Sequence, residues 1–190
     1  MEKQVTRQQL LSRRKQLTET TCLELSRQIQ QRLIESDLFS SATTLALYSP
    51  VNNEVRTRLL HDCAVELDKQ VCYPRVVGES LQFVAIDAIE LLQPGSFRVA
   101  EPVSGDALDV GMIDLLVVPG VAFDREGFRL GYGKGFYDRE LSRVATTTAS
   151  VGLCFDFQLC DRLPVEAHDQ RLDYLVTETQ FIPCGKDAAG

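Results

Sequence analysis

No apolar run in this chain approaches the roughly 20 residues that a helix needs to cross a bilayer, which excludes a membrane-spanning helix. The polar opening Met-Glu-Lys-Gln predicts that no signal peptide is present. Basic charge is in deficit: 20 Lys and Arg stand against 27 Asp and Glu, a net charge of −7. Nucleic-acid binding needs excess basic charge on one face, so that class is disfavoured, although a local basic pocket for a small anion is not. None of the six cysteines forms a Cys-x-x-Cys pair, and most sit inside apolar runs. They predict reduced core residues, not a disulfide frame or a zinc site, and with them a cytoplasmic protein. Internal repeats and low-complexity linkers are absent as well.

What remains is an ordinary globular composition, 44% hydrophobic and 25% charged over 190 residues. This length suits one domain over residues 1–190, opening with a helical segment over about 1–36. Within that segment Thr18 is a candidate N-cap, and Cys22, Leu25, Ile29 and Leu33 recur at three- and four-residue spacing. Short apolar runs predict strands at Thr43–Tyr48, Val71–Tyr73, Ile113–Val118, Ser150–Leu153 and Leu172–Thr177. Leu81, Phe83 and Ala85 alternate as in a half-exposed strand. Helices are predicted from Val55 to Leu67 and from Asp138 to about Val144. Residues 87–111, punctuated by Pro and Gly, read as loop with short elements. The near-continuous apolar run Ile113–Val118 suits a central strand covered on both faces. Strands alternating with helices predict a three-layer α/β/α fold with a largely parallel, mixed central sheet.

The chemistry is concentrated from Phe123 to Asp138, which follows that central strand and leads into a helix. Gly131, Gly133 and Gly135 alternate around Lys134. Glycine permits positive φ and close backbone approach, and successive N–H groups in such a turn cradle anions. Arg125, Arg129 and Arg139 flank the loop, and an arginine fork suits phosphate oxygens. The loop is neither of two standard phosphate motifs. Lys134 is followed by Gly135 instead of Ser or Thr, and Phe136 stands where a dinucleotide fingerprint needs glycine. A flexible turn with solvated charges is the plainer alternative. Asp124 and Asp138 bracket the loop and could hold a phosphate-borne Mg²⁺, with Asp169 or Asp173 as a later carboxylate. Asp138 could equally be a first-turn helix acid. Lys3 and Arg7 share one helix face, which on its own suggests only a solvated surface. His61 and His168 are isolated.

Val118 to Arg139 reads Val-Pro-Gly-Val-Ala-Phe-Asp-Arg-Glu-Gly-Phe-Arg-Leu-Gly-Tyr-Gly-Lys-Gly-Phe-Tyr-Asp-Arg. This run resembles the signature of the 5-formyltetrahydrofolate cyclo-ligase (5,10-methenyltetrahydrofolate synthetase) family. Weaker echoes are Lys3 with Arg7, Asn53-Glu54-Val55, Tyr73-Pro74-Arg75, Glu101-Pro102, and Leu163-Pro164 followed by His168-Asp169 and Asp173. The resemblance implies an ATP-dependent ring closure of 5-formyltetrahydrofolate, with ADP and phosphate released and Mg²⁺ as cofactor. It implies small-molecule partners, neither nucleic acid nor membrane, and a monomer or weak dimer. Carried over by position, Lys3, Arg7 and the run Arg129, Leu130, Gly131, Tyr132, Gly133, Lys134, Gly135, Phe136 and Tyr137 would bind ATP. Val51, Glu54, Arg56 and Tyr132 to Phe136 would face the folate. Asp138 and Asp173 would hold the metal, and Lys134 and Arg129 would carry the catalysis. Two positions depart from the family pattern. Arg56 stands where many members have an acid, and Tyr132 where others carry Arg. The competing classes are an ATP-independent sugar-phosphate isomerase or acyl-CoA transferase-like enzyme, a non-catalytic nucleotide- or folate-binding module, and a plain structural domain.

Overall fold

A computed structural model of the chain describes residues 3–185. Residues 186–190 of the expected domain, and the first two of the expected helical segment, lie outside the described residues. The N-terminal segment forms two helices, α1 (Lys3–Lys15) and α2 (Glu19–Ile34). Thr18 ends the break between them. Its hydroxyl accepts the Thr21 N–H at 3.1 Å and supplies a partner for one of the donors a helix start leaves unpaired. Cys22, Ile29 and Leu33 of α2 are wholly buried, as their spacing predicts. A short helix α3 (Asp37–Ser41), capped by Ser36, follows. Five residues are too few to show a period, and the sequence reading had no helix there.

The remaining helices are α4 (Arg58–Glu66) and α5 (Phe136–Leu141). The strands are β1 (Thr44–Ala46), β2 (Gln70–Val77), β3 (Ser80–Ala85), β4 (Leu92–Pro94), β5 (Ala100–Pro102), β6 (Ala107–Leu108) and β7 (Leu115–Val118). After them come β8 (Ala122–Asp124), β9 (Arg129–Leu130), β10 (Ala149–Leu153), β11 (Leu159–Cys160), β12 (Tyr174–Val176) and β13 (Phe181–Pro183). Eight of these form one sheet in the order β13-β12-β10-β7-β1-β2-β3-β6. Neighbours from β12 through β2 are parallel, while β13, β3 and β6 join antiparallel. The sheet is therefore largely parallel but mixed, as expected.

The central strand shows why its sequence is apolar throughout. Successive side chains of a strand point to opposite faces. Leu115 and Val117 join a core shared with α2, α3 and α4, whereas Leu116 and Val118 join one with Phe123 and Leu141. The second outer layer is thinner than the first. It consists of α5 and a small sheet, β11-β8-β9. All six cysteines are free thiols, four of them buried. Burial alone pushes the Cys72 thiol up to about 12, so it stays protonated. Among the described residues no helix is long and apolar enough to cross a membrane.

The topology also places a crevice. The chain leaves β1 toward β2 on one side, and leaves β7 toward β10 on the other. Ligands in such sheets bind beyond the carboxyl ends of strands at the point where the order reverses. The loops after β1 and β7 meet there.

Candidate active site

Beyond the ends of β1 and β7 lies a cavity of about 530 Å³, within the size range of small-molecule sites. One wall is the glycine loop. Gly133 and Gly135 have φ of 91° and 67°, the left-handed region that glycine enters without penalty. Gly135 caps α5, and the buried Glu140 carboxylate anchors that helix by accepting the Leu81 N–H of β3 at 3.1 Å. The loop is thus tied to the sheet through its own helix. Pro74, Val76, Leu81 and Val99 add an apolar part to the lining.

Helix α1 lies across the loop and presents three cations from one face. Arg7 Nε donates to the Gly131 carbonyl at 2.9 Å. Lys3 Nζ pairs with Glu166 at 2.9 Å and Asp169 at 3.0 Å. Burial works against both charges, yet these contacts hold the Lys3 ammonium above its ordinary value and the Asp169 carboxyl below. The third cation is Arg14, only 1% exposed. Its guanidinium donates to the carbonyls of Asn52 and Gly120 and to the Tyr132 hydroxyl. It also faces Glu54 Oε1 at 3.7 Å. Glu54 Oε2 accepts the Val51 N–H at 2.9 Å. Burial raises the Glu54 carboxyl above its usual range, and Arg14 opposes the rise.

Of the predicted residues, Lys3, Arg7, Val51, Glu54, Asp138 and the whole run from Arg129 to Tyr137 line this cavity. Arg129 pairs with Asp138 Oδ1 at 3.1 Å, and the Gln170 N–H donates to that same oxygen. Burial lowers the Arg129 pKa while Asp138 counteracts it. Lys134 projects from the loop with its Nζ 5.4 Å from the centre of the Phe97 ring.

Two predicted residues are not brought to the cavity. Arg56 does not line it; its backbone N–H donates to Ser26, and its charge reaches Glu54 from outside the lining. Asp173 does not line it either, because its Oδ2 accepts both the N–H and the hydroxyl of Ser150. Asp124 is wholly buried and accepts the N–H groups of Glu126, Phe128 and Leu163, which makes it a turn-holding carboxylate. Asp169, left open as an alternative, does line the cavity. Sequence reasoning missed Arg14 and Phe97. Arg14 had a signal, since it lies seven residues beyond Arg7 and so on the face that carries Lys3 and Arg7.

Metal capacity is modest. Among the described residues no three His, Cys, Asp or Glu side chains are arranged to hold an ion alone. A phosphate-borne Mg²⁺ asks for less, one or two carboxylates plus phosphate oxygens. Asp138 fits that demand, since only its Oδ1 is engaged among the described hydrogen bonds and ion pairs.

Comparison with known proteins agrees with this geometry. The model of the 5-formyltetrahydrofolate cyclo-ligase family matches residues 1–178. A 5-formyltetrahydrofolate cyclo-ligase of Escherichia coli (strain K12) is 32% identical, covering 88% of this chain and 96% of its own. One from Mus musculus is 28% identical, covering 90% and 91%. The solution structure of Aquifex aeolicus 5,10-methenyltetrahydrofolate synthetase superimposes with a TM-score of 0.88 at 35% identity, covering 100% of this chain and 96% of that one. With a match over nearly its whole length and a cavity walled by the signature loop itself, the chain belongs to the 5-formyltetrahydrofolate cyclo-ligase family of enzymes.

Proposed function

We propose that the chain converts 5-formyltetrahydrofolate and ATP to 5,10-methenyltetrahydrofolate, ADP and phosphate. The observation that carries this reading is the lining of the cavity. A glycine cradle with Lys134 and two cations of α1, Lys3 and Arg7, lines it together with an apolar surface suited to a flat ring system. In the proposed reaction the formyl oxygen attacks the γ-phosphorus of ATP, and ADP leaves. N10 then attacks the activated formyl carbon and an N–C bond forms; N10 gives up its proton to the departing phosphate, and the C–O bond to that phosphate breaks. Phosphoryl transfer asks a protein mainly for position and charge neutralisation. Lys134 and the loop N–H groups supply the charge on one side of the phosphates, and Arg7, held by Gly131, supplies it on the other. Arg129 neutralises Asp138 and fixes its direction. Lys3 reaches a phosphate by exchanging Glu166 and Asp169 for it. Glu54, pinned by Val51 and Arg14, offers a carboxylate to the N–H groups of a pterin.

Mg²⁺ would be held by Asp138 and would screen the phosphate charge. Asp173 could join it only by giving up its Ser150 hydrogen bonds. Asp138→Asn is therefore expected to raise the Mg²⁺ concentration for half-maximal rate about tenfold. Asp173→Asn should move the metal titration less and the melting temperature more. An unchanged titration in Asp138→Asn would reduce Asp138 to a helix-start acid that anchors Arg129.

The reaction itself is tested by ultraviolet absorbance. Methenyl product should accumulate when the chain, 5-formyltetrahydrofolate, ATP and Mg²⁺ are combined, and should not when any one is withheld. Turnover without ATP would favour the isomerase or transferase reading. Binding of both substrates without ADP formation would favour a non-catalytic module.

A further inference from the structure

One aromatic at this cavity is held in an unusual way. Residues 92–102 form the hairpin β4–β5, whose tip is a tight turn over Ser96–Arg98. Phe97 and Arg98 both sit in the left-handed region, with φ of 55° and 64°. Two consecutive non-glycine residues there are disfavoured by their own Cβ atoms and persist only where the surroundings hold them. Phe97 is nevertheless 61% exposed, so burial of its ring is not what holds it. The ring lies beside Phe136, with centroids 6.1 Å apart, and over Lys134 at the cavity mouth.

Backbone bonds from Gly95 N–H to the Val99 carbonyl and from Val99 N–H to the Ser96 carbonyl close the turn, and Glu101 ties it to the main sheet. Glu101 is 8% exposed and lines the cavity, yet among the described residues it has no ion-pair partner. Its two oxygens take one backbone N–H each. Oε1 accepts from Ser96, the residue before Phe97, at 2.9 Å, and Oε2 accepts from Val76 of the main sheet at 3.2 Å. One carboxylate therefore ties the strained turn to β2. The side chain fits because the turn enters through glycine. A Cβ on Gly95 would stand 2.6 Å from the Glu101 carboxyl carbon.

We infer that Glu101 is a positioning residue which, through the Ser96 N–H and across Gly95, sets Phe97 over the Lys134 loop to cover the ring of the bound folate substrate. The inference rests on the proposed cyclo-ligase reaction for the identity of that ring. In the proposed reaction the ATP phosphates meet the loop N–H groups and the cations around them, to which the Phe97 ring adds no donor. The effect of losing Glu101 should therefore fall on one substrate.

A double-mutant cycle on the full chain tests this. Glu101→Ala and Phe97→Ala should each raise KM for 5-formyltetrahydrofolate about tenfold, the scale of one lost ring contact. KM for ATP and kcat should move by less than about twofold. The double variant should be no worse than either single one, because both remove the same contact. Gly95→Ala, which drives a methyl into Glu101 while keeping the carboxylate, should reproduce the effect and stands in if Glu101→Ala does not fold. Additive losses overturn the positioning role, as does a fall in kcat or a rise in both KM values together. If the wild-type chain does not turn over, the reaction reading fails separately, and the positioning role is then read without substrate. The chain has no tryptophan, so Phe97→Trp installs a single reporter. Adding Glu101→Ala to it should raise acrylamide quenching of that indole as the turn loosens. Unchanged quenching would overturn the inference.

Discussion

Lys134→Ala is expected to lower kcat by about 10²–10³-fold, the usual loss when one preorganised charge is withdrawn from a transition state. The melting temperature should barely move. Lys134 is exposed, and its ammonium meets the Phe97 ring instead of a carboxylate. Surface substitutions of this kind stay within roughly 0.5 kcal/mol of wild type. That separation makes Lys134 the informative target in the loop. Arg129 sits in the same wall, but its side chain is only 4% exposed and pairs with Asp138. Removing it would leave a carboxylate without its cation and would confuse folding with chemistry. Steady-state methenyl formation, read beside a thermal melt, decides the matter. A Lys134→Ala enzyme with near-normal kcat would take the residue out of phosphoryl transfer and leave the loop N–H groups and Arg7 to carry the charge.

The residues that declared themselves in sequence did so for reasons the structure repeats. Leu115 to Val118 read as a central strand because alternate side chains feed two different cores. Gly131, Gly133 and Gly135 read as a turn free to take positive φ, and Gly133 and Gly135 do take it. The resemblance to the cyclo-ligases then added Lys3 and Arg7, whose spacing alone suggested a solvated face. The hairpin that carries Phe97 was illegible because β4 and β5 have three residues each, too few for a period to register. Glu101 was visible only as half of Glu101-Pro102, with nothing local to say that its carboxylate spans from Ser96 to Val76. Asp173 and Asp169 are equivalent as sequence. Only the fold shows that one caps Ser150 while the other meets Lys3. Arg14 was concealed by its neighbours, because Arg13-Arg14-Lys15 looks like the ordinary basic end of a helix.

That concealed residue carries the largest stability effect expected here. Arg14→Ala leaves the Glu54 carboxylate, 5% exposed, without the cation that faces it. It also frees the carbonyls of Asn52 and Gly120 and the Tyr132 hydroxyl. Breaking a buried pair by removing one partner costs about 3–5 kcal/mol. In a chain of this size that corresponds to a fall in melting temperature of roughly 10 °C. Two further measurements identify the cause. Adding Glu54→Gln to Arg14→Ala should recover part of the loss, because the neutral side chain no longer needs a cation. Lower pH should act in the same direction. The Glu54 carboxyl already titrates above its ordinary value of 4.5 through burial, with Arg14 as the main restraint. Without Arg14 it rises further, and a carboxyl whose folded pKa exceeds its unfolded one destabilises the fold as pH climbs through that interval. The deficit of Arg14→Ala relative to wild type should therefore be largest at neutral pH and should shrink as pH falls toward the unfolded value. Denaturant melts of both proteins at the two ends of this range measure it. Equal deficits at both would mean that Arg14 acts through the Asn52 and Gly120 carbonyls, as a brace between α1 and the loops after β1 and β7, and that Glu54 is compensated by something else.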